Sequence, residues 1–345
     1  MSAKKFWKQN SSILLTFVVA AALLAFVSIV KPGYSNPANL KVLSISIAVL
    51  GFTALGQTFP ILTGGMDLSV PWIFCIGGYL CAMLTGGENA KLIYAVPAVL
   101  LVGALMGAVN GFGIAYVGIA PVIMTMASNI IYQGLLVGFT GGTPGGSIPQ
   151  VIKDLATGDI CGVSILFLLW LVISAAAWLL LVKTPYGRKL YGVGTSEQVS
   201  LFSGVSVKKI KLSAYAVCGM MAALAGMLYS GKLSQLYLGM GDTYQMASVS
   251  AVAIGGISGG RQRQLHRCHC RQLCHHHSGW SAGCHEPFTG CTENHLRHRV
   301  VLRRAHLLPQ EEHPLKKYSP PFRFVHLPFL VCWYVLPSDL AGQPQ

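Results

Sequence analysis

Charged side chains are scarce in this chain of 345 residues, where Asp, Glu, Lys and Arg together make up 10%. An average soluble domain has about a quarter of its residues charged, so the composition excludes an ordinary soluble enzyme. The sequence also contains no Gly-x-x-x-x-Gly-Lys-[Ser/Thr] loop, which excludes a nucleotide-hydrolysing site of that type. Hydrophobic residues dominate instead, at 53% of the chain.

Histidine is absent from the first 265 residues, and Arg188 is the one arginine before Arg261. All 11 histidines and most of the 10 cysteines follow, so the composition changes abruptly near Gly260. We therefore divide the chain into a transmembrane domain, residues 1–260, and a basic tail rich in histidine and cysteine, residues 261–345.

Apolar runs long enough to cross a membrane recur through the first domain. About 20 residues at 1.5 Å per residue span a hydrocarbon core of about 30 Å. Such runs cover residues 13–30, 41–62, 70–86, 92–117, 121–139, 162–182 and 212–230, and an eighth begins near Met246. The pattern predicts an all-α, polytopic integral membrane helix bundle with about seven to eight spans in this chain.

Lysines near the N-terminus predict the orientation of the bundle. Lys4, Lys5 and Lys8 precede the first span, and basic residues favour the cytoplasmic side, so we expect a cytoplasmic N-terminus. A cleaved signal peptide is the alternative, but the apolar run is longer than a usual signal core. Six crossings then place the basic residues 183–211 in the cytoplasm and residues 140–161 outside.

Polar side chains among the spans mark a candidate path for a solute. Asn129 and Gln133 lie in one apolar run and Asn110 in another, and polar groups at membrane depth must face protein or a water-filled path. Asp67 and Ser69 interrupt the apolar sequence between two spans. Packing between helices is the alternative, and Asp67 or Ser69 can instead cap the helix that restarts. We predict that these five residues contribute to the substrate pathway.

Three stretches between residues 36 and 260 form a recognisable set. They are Thr63-Gly64-Gly65-Met66-Asp67-Leu68-Ser69-Val70; Asn110-Gly111 through Ala120-Pro121 to Thr140-Gly141-Gly142; and Thr184-Pro185-Tyr186-Gly187-Arg188 with Glu197 and Ser203-Gly204-Val205. As a set they resemble a known family, the permease subunits of ATP-binding cassette importers for ribose, xylose and related monosaccharides. Pro71 departs from the family, which usually has glycine there.

The resemblance implies a transporter subunit that has no catalytic residue and no metal of its own. In this family a short cytoplasmic helix docks on the subunit that binds ATP and magnesium, and the matching segment here includes Arg188, Glu197, Ser203 and Gly204. Implied partners are a second permease copy in a homodimer, cytoplasmic ATP-binding cassette subunits, an extracytoplasmic sugar-binding protein and membrane lipid, but no nucleic acid. The implied location is the bacterial inner membrane, with transport by alternating access.

The tail admits three interpretations. Cys268, Cys270 and Cys274, with neighbouring histidines, are soft-metal ligands, but their spacing matches no usual zinc site. A disordered basic tail would instead bind anionic lipid or nucleic acid. The third hypothesis, which we favour, is out-of-frame translation: codons for residues 261–277 and 293–313, shifted by one base, permit a glycine-rich turn and apolar helices. An in-frame parent would then have about ten spans.

Rival functions also stay open. One is a permease for another small solute, such as a branched-chain amino acid or a furanone signal. Others are a membrane protein that handles metal through the tail and a non-functional, truncated permease. Polar residues without a fixed charge favour an uncharged sugar.

Overall fold

Helices account for most of the computed structural model, which describes residue 29, residues 36–160 and residues 163–255. The α-helices in these ranges are α1 (Pro37–Leu62), α2 (Val70–Thr85), α3 (Leu92–Phe112), α4 (Pro121–Thr140), α5 (Gln150–Thr157), α6 (Ile165–Lys183), α7 (Pro185–Thr195), α8 (Glu197–Phe202), α9 (Val207–Leu233) and α10 (Asp242–Ile254). A 3-10 turn (Asn89–Lys91) precedes α3, and a π-helical turn (Gly113–Val117) extends it. Two short strands, β1 (Asp159–Ile160) and β2 (Val163–Ser164), pair antiparallel between α5 and α6.

The prediction of an all-α polytopic membrane protein is confirmed. In the described part of the chain, five helices are long and apolar enough to cross a membrane: Ala38–Leu62, Asn89–Val117, Pro121–Thr140, Ile165–Lys183 and Val207–Leu233. A sixth apolar helix, α2, is shorter, with 16 residues. These six helices match six of the predicted spans. The predicted span at residues 13–30, apart from residue 29, and the tail from residue 261 lie outside the described residues.

Turn residues set the ends of the first two helices. The Asn36 side chain accepts a hydrogen bond from the Ala38 N–H and so caps α1. After Leu62 the chain turns through Gly64, whose φ is 87°, and α2 ends at Gly86, whose φ is 56°. Glycine adopts this left-handed conformation without the steric cost that a Cβ imposes. The loop between α1 and α2 is therefore short and sharply bent.

Helix α9 is the centre of the core and packs against α1, α2 and α3. Glycines allow α9 and α3 to approach closely, because a Cβ at Gly219 would overlap the Gly103 carbonyl oxygen and one at Gly107 would overlap the Tyr215 carbonyl oxygen. Helix α4 packs much less extensively. Its buried residues are Thr125, Ser128, Tyr132 and Leu136.

The start of α10 lies against the start of α2. A Cβ at Gly241 would overlap the Pro71 carbonyl oxygen, and the Gln245 side-chain amide donates to the Leu68 carbonyl oxygen at 2.7 Å. Helix α10 corresponds to the span predicted to begin near Met246, and it is described as far as Ile254. Two helix starts and the α1–α2 loop therefore meet in one place, where the site described next is built.

Candidate functional site

Three of the predicted pathway residues, Asp67, Ser69 and Asn110, come together inside the bundle and are fully buried. Asp67 Oδ1 accepts hydrogen bonds from the Ser69 N–H at 2.9 Å and from Ser69 Oγ at 2.6 Å. Asn110 Nδ2 reaches across from α3 and donates to Ser69 Oγ at 2.7 Å and to Asp67 Oδ1 at 3.4 Å. We call these three residues the Asp67 cluster. It joins the α1–α2 loop to α3.

Side chains from three helices hold the backbone of the same loop. The side-chain amide of Gln57, on α1, donates to the Asp67 carbonyl oxygen and accepts from the Asp67 N–H at 3.1 Å. The Tyr215 hydroxyl of α9 donates to the Met66 carbonyl oxygen at 3.4 Å. The Gln245 side-chain amide of α10 donates to the Leu68 carbonyl oxygen, as described above. These partners were not predicted from the sequence. Gln57 could have been recognised as a candidate, because it is the one residue with an amide side chain in the apolar run 41–62.

The expected capping of α2 takes a different form. Ser69 is the N-cap residue, but its side chain makes no capping bond to the first turn of α2. Asp67 binds the N–H of Ser69 itself, before the helix begins. Burial raises the pKa of the Asp67 carboxyl, which lies in the loop outside the spanning helices, above its ordinary value.

The other two predicted pathway residues lie on α4, apart from the Asp67 cluster. Asn129 is half-buried and Gln133 is exposed. The neighbouring Tyr132 donates its hydroxyl to the Met106 carbonyl oxygen at 2.9 Å, which anchors this part of α4 to α3. Helix α4 thus turns polar side chains both towards the bundle and away from it.

The predicted coupling residues lie on two short helices, α7 and α8. Glu197 begins α8 and forms an ion pair of 2.7 Å with Lys211 on α9, while Ser203 and Gly204 directly follow the end of α8. Arg188 is exposed on α7. Gly204 has a φ of 76°, so the chain turns back there towards α9. The structure therefore holds α8 beside the start of α9.

Helix α8 presents large apolar side chains outward. Val199 and Leu201 are each 63% exposed, and Phe202 is 89% exposed. The basic residues Lys208 and Lys209 follow on the first turn of α9 and are exposed. Phe202 was not predicted from the sequence, because six residues are too few for an apolar period to be recognised. We call Val199, Leu201 and Phe202 the α8 patch.

Helix α7 contacts the end of α1 directly. A Cβ at Gly194 would overlap the Leu62 carbonyl oxygen, so α7 lies against the residue where the α1–α2 loop begins. Tyr186, also on α7, shares a hydrogen bond of 3.0 Å with Ser213 on α9. The segment 183–211 is therefore joined to both α1 and α9.

Across the residues that the structure describes, no group of three His, Cys, Asp or Glu side chains is placed to hold a metal ion. The cysteines and histidines of the tail lie outside the described residues, so the structure does not test the metal alternative for the tail.

The chain has relatives of known name over most of its length. Residues 39–264 match the family described as the permease component of branched-chain amino acid transport systems. The ribose import permease proteins of Bacillus subtilis and Haemophilus influenzae are 34% and 30% identical, over 70% and 72% of this chain and 76% and 79% of their own lengths. The autoinducer 2 import system permease protein of Escherichia coli is 31% identical over 74% of each chain. No solved structure matches significantly.

Proposed function

Because this chain belongs to the family of membrane permease components matched over residues 39–264, we propose that it is the permease subunit of an ATP-binding cassette importer for a monosaccharide. The observation that carries the proposal is the similarity, at 30% to 34% identity, to proteins named ribose import permeases. The amides and hydroxyls near Asp67 and on α4 agree with an uncharged, hydroxyl-rich solute, since such groups bind sugars without a fixed charge.

The α8 patch supports docking of a separate ATPase subunit. Exposed aromatic and aliphatic side chains at the tip of a short helix are the kind of anchor that fills a pocket on a partner protein. Basic residues beside the patch add charge that attracts an acidic rim. We propose that the ATPase subunit binds ATP and magnesium and moves α7 and α8, and that Arg188, Glu197, Ser203 and Gly204 position this segment.

Helix α4 supports a pathway shared with a second copy of the chain. Most of α4 is exposed in the single chain, and it carries Asn129 and Gln133. We propose that a homodimer covers this helix and that the two residues face the solute, while the Asp67 cluster forms the floor of the path. Alternating access then requires ATP to favour one of two packings of these helices.

The orientation of the chain follows from its basic residues. We propose that the N-terminus is cytoplasmic in a bacterial inner membrane, which places α7 and α8 on the ATPase side. The opposite end then carries α5 and the β1–β2 pair, where an extracytoplasmic sugar-binding protein delivers the solute.

A furanone signal is the second candidate solute, because the autoinducer 2 permease is about as similar to this chain as the ribose permeases are. Growth distinguishes the two. A bacterial strain without its own ribose permease would express the full chain together with ATPase and binding-protein subunits from the same genome. We expect growth on ribose as sole carbon source. Depletion of autoinducer 2 from the medium without growth on ribose would contradict the assignment.

The tail is the subject of a separate proposal. We propose that residues from about 261 onward are an out-of-frame product of a permease gene whose parent continues with further spans. Resequencing the DNA for residues 258–263, together with mass spectrometry of C-terminal peptides, tests this. A missing or extra base supports it. Confirmed codons together with detected peptides rich in cysteine and histidine would contradict it and reopen metal binding.

A further inference from the structure

Two buried oxygen atoms of the Asp67 cluster lack a partner. Asp67 Oδ2 and Asn110 Oδ1 have no hydrogen-bond donor among the described residues, although both side chains are fully buried. A buried acceptor without a donor is unfavourable, because it has lost its bonds to water and gained none in return. Two such atoms on side chains that already touch each other point to a missing hydrogen or ion between them.

A metal ion does not fit this place. Hard cations bind about six or more oxygen atoms. The backbone carbonyl oxygens of the same loop, at Met66, Asp67 and Leu68, already accept hydrogen bonds from Tyr215, Gln57 and Gln245, respectively. Ser69 Oγ is likewise engaged. Only two free oxygen atoms remain, which is too few for a cation and the right number for one proton.

No positive charge compensates the carboxyl group. The titratable groups that face Asp67 are Cys218 and Tyr215 from α9 and Tyr132 from α4, and none of them is cationic in any protonation state. Within the described ranges Asp67 takes part in no ion pair. The hydrogen bonds from Ser69 and Asn110 to Oδ1 favour the ionised form, but complete burial without a cation opposes it more strongly.

We propose that Asp67 binds a proton and is held as a neutral carboxylic acid, with its Oδ2–H group donating to Asn110 Oδ1. One hydrogen then satisfies both free oxygen atoms and adds a bond between the α1–α2 loop and α3. Separation of the loop from α3 would expose the acid to water, where a carboxyl group ionises at neutral pH. Opening of this contact therefore releases a proton. The proposal does not depend on which solute the protein carries.

Infrared spectroscopy tests the proposal directly. The full chain would be produced with aspartate carrying a heavy carbon isotope in the side-chain carboxyl group. The difference spectrum against unlabelled protein at neutral pH then reports aspartate alone. We expect a carboxylic acid C=O band that shifts in deuterium oxide and disappears in Asp67→Asn. A spectrum with carboxylate bands only would overturn the proposal. This wild-type comparison remains decisive if a variant fails to fold.

Two further variants identify the acceptor of the proton. Asn110→Leu removes the proposed acceptor together with the Nδ2 donor to Asp67 Oδ1. It is expected to move the acid band, because the C=O frequency depends on the hydrogen bonds that the acid donates and accepts. Cys218→Ala removes the thiol that faces the same carboxyl group and tests it as the rival partner, and a smaller shift of the band is expected than in Asn110→Leu. A band that moves in Cys218→Ala but not in Asn110→Leu would show that the proton lies elsewhere.

Discussion

Phe202 is the residue at which docking of the ATPase subunit can be tested most sharply. Its side chain is 89% exposed at the tip of α8. Burying an aromatic side chain removes about 150–250 Å² from water, at about 25 cal/mol per Å², which sets an upper limit of about 4–6 kcal/mol. Part of this is lost to ordering and imperfect packing, so a central anchor residue contributes about 2–3 kcal/mol. Phe202→Ala should raise the Kd for the ATPase subunit about 30- to 150-fold.

The assay is binding of the purified ATPase subunit to the chain in detergent, measured by surface plasmon resonance. The matched control is Phe139→Ala, which removes an aromatic side chain that is 80% exposed on α4 and so is equally free of the core. We expect Phe139→Ala to leave the Kd unchanged and both variants to unfold at the wild-type temperature. An unchanged Kd in Phe202→Ala, or an equal loss in both variants, would refute the docking role of the α8 patch.

Three further predictions concern stability and are measured by thermal unfolding in detergent, followed by circular dichroism. Gly219→Ala should lower the free energy of unfolding by about 1–3 kcal/mol, because the new Cβ meets the backbone of α3. The control Gly134→Ala should leave it unchanged, because a Cβ there meets no atom within 4 Å. Equal effects of the two substitutions would contradict the close packing of α9 and α3. Asp67→Ala should cost about 2–4 kcal/mol because it leaves buried donors unpaired, and wild-type stability would contradict the role of the cluster. Lys211→Met should cost less than about 1 kcal/mol, since its partner carboxylate is half exposed; a larger loss would show an additional role for this lysine.

The spanning helices could be predicted because membrane length and apolar composition leave few alternatives. The predicted run 121–139 became α4 at Pro121–Thr140, and 162–182 became α6 at Ile165–Lys183. Short elements were missed. Helix α5 and β1 lie in residues 140–161, for which only the side of the membrane was predicted, and β2 lies at the start of the predicted run 162–182. Eight residues and two-residue strands carry too little periodicity to be recognised.

Individual residues of the candidate site could be predicted from the sequence, but the contacts between them could not. Asp67 and Asn110 were each identifiable as polar residues in apolar surroundings, but they are 43 positions apart and their contact depends on the packing of α3. Two partners of the loop come from still further along the chain, since Tyr215 lies 149 positions from Met66 and Gln245 lies 177 positions from Leu68. Sequence spacing indicates which residues share one helix face. It does not indicate which helices meet, and this is why the free oxygen atoms emerged only from the structure.

Uptake of labelled ribose by proteoliposomes tests the central claim most directly. The vesicles would contain the ATPase subunit and the chain, with the C-terminal sequence that resequencing of the gene gives. The binding protein would be supplied on the side of the membrane opposite the ATPase subunit. We predict that ribose accumulates above its supplied concentration only when ATP, the ATPase subunit and the binding protein are all present. Accumulation of a labelled branched-chain amino acid or of autoinducer 2 in the same vesicles, with no accumulation of ribose, would contradict the claim.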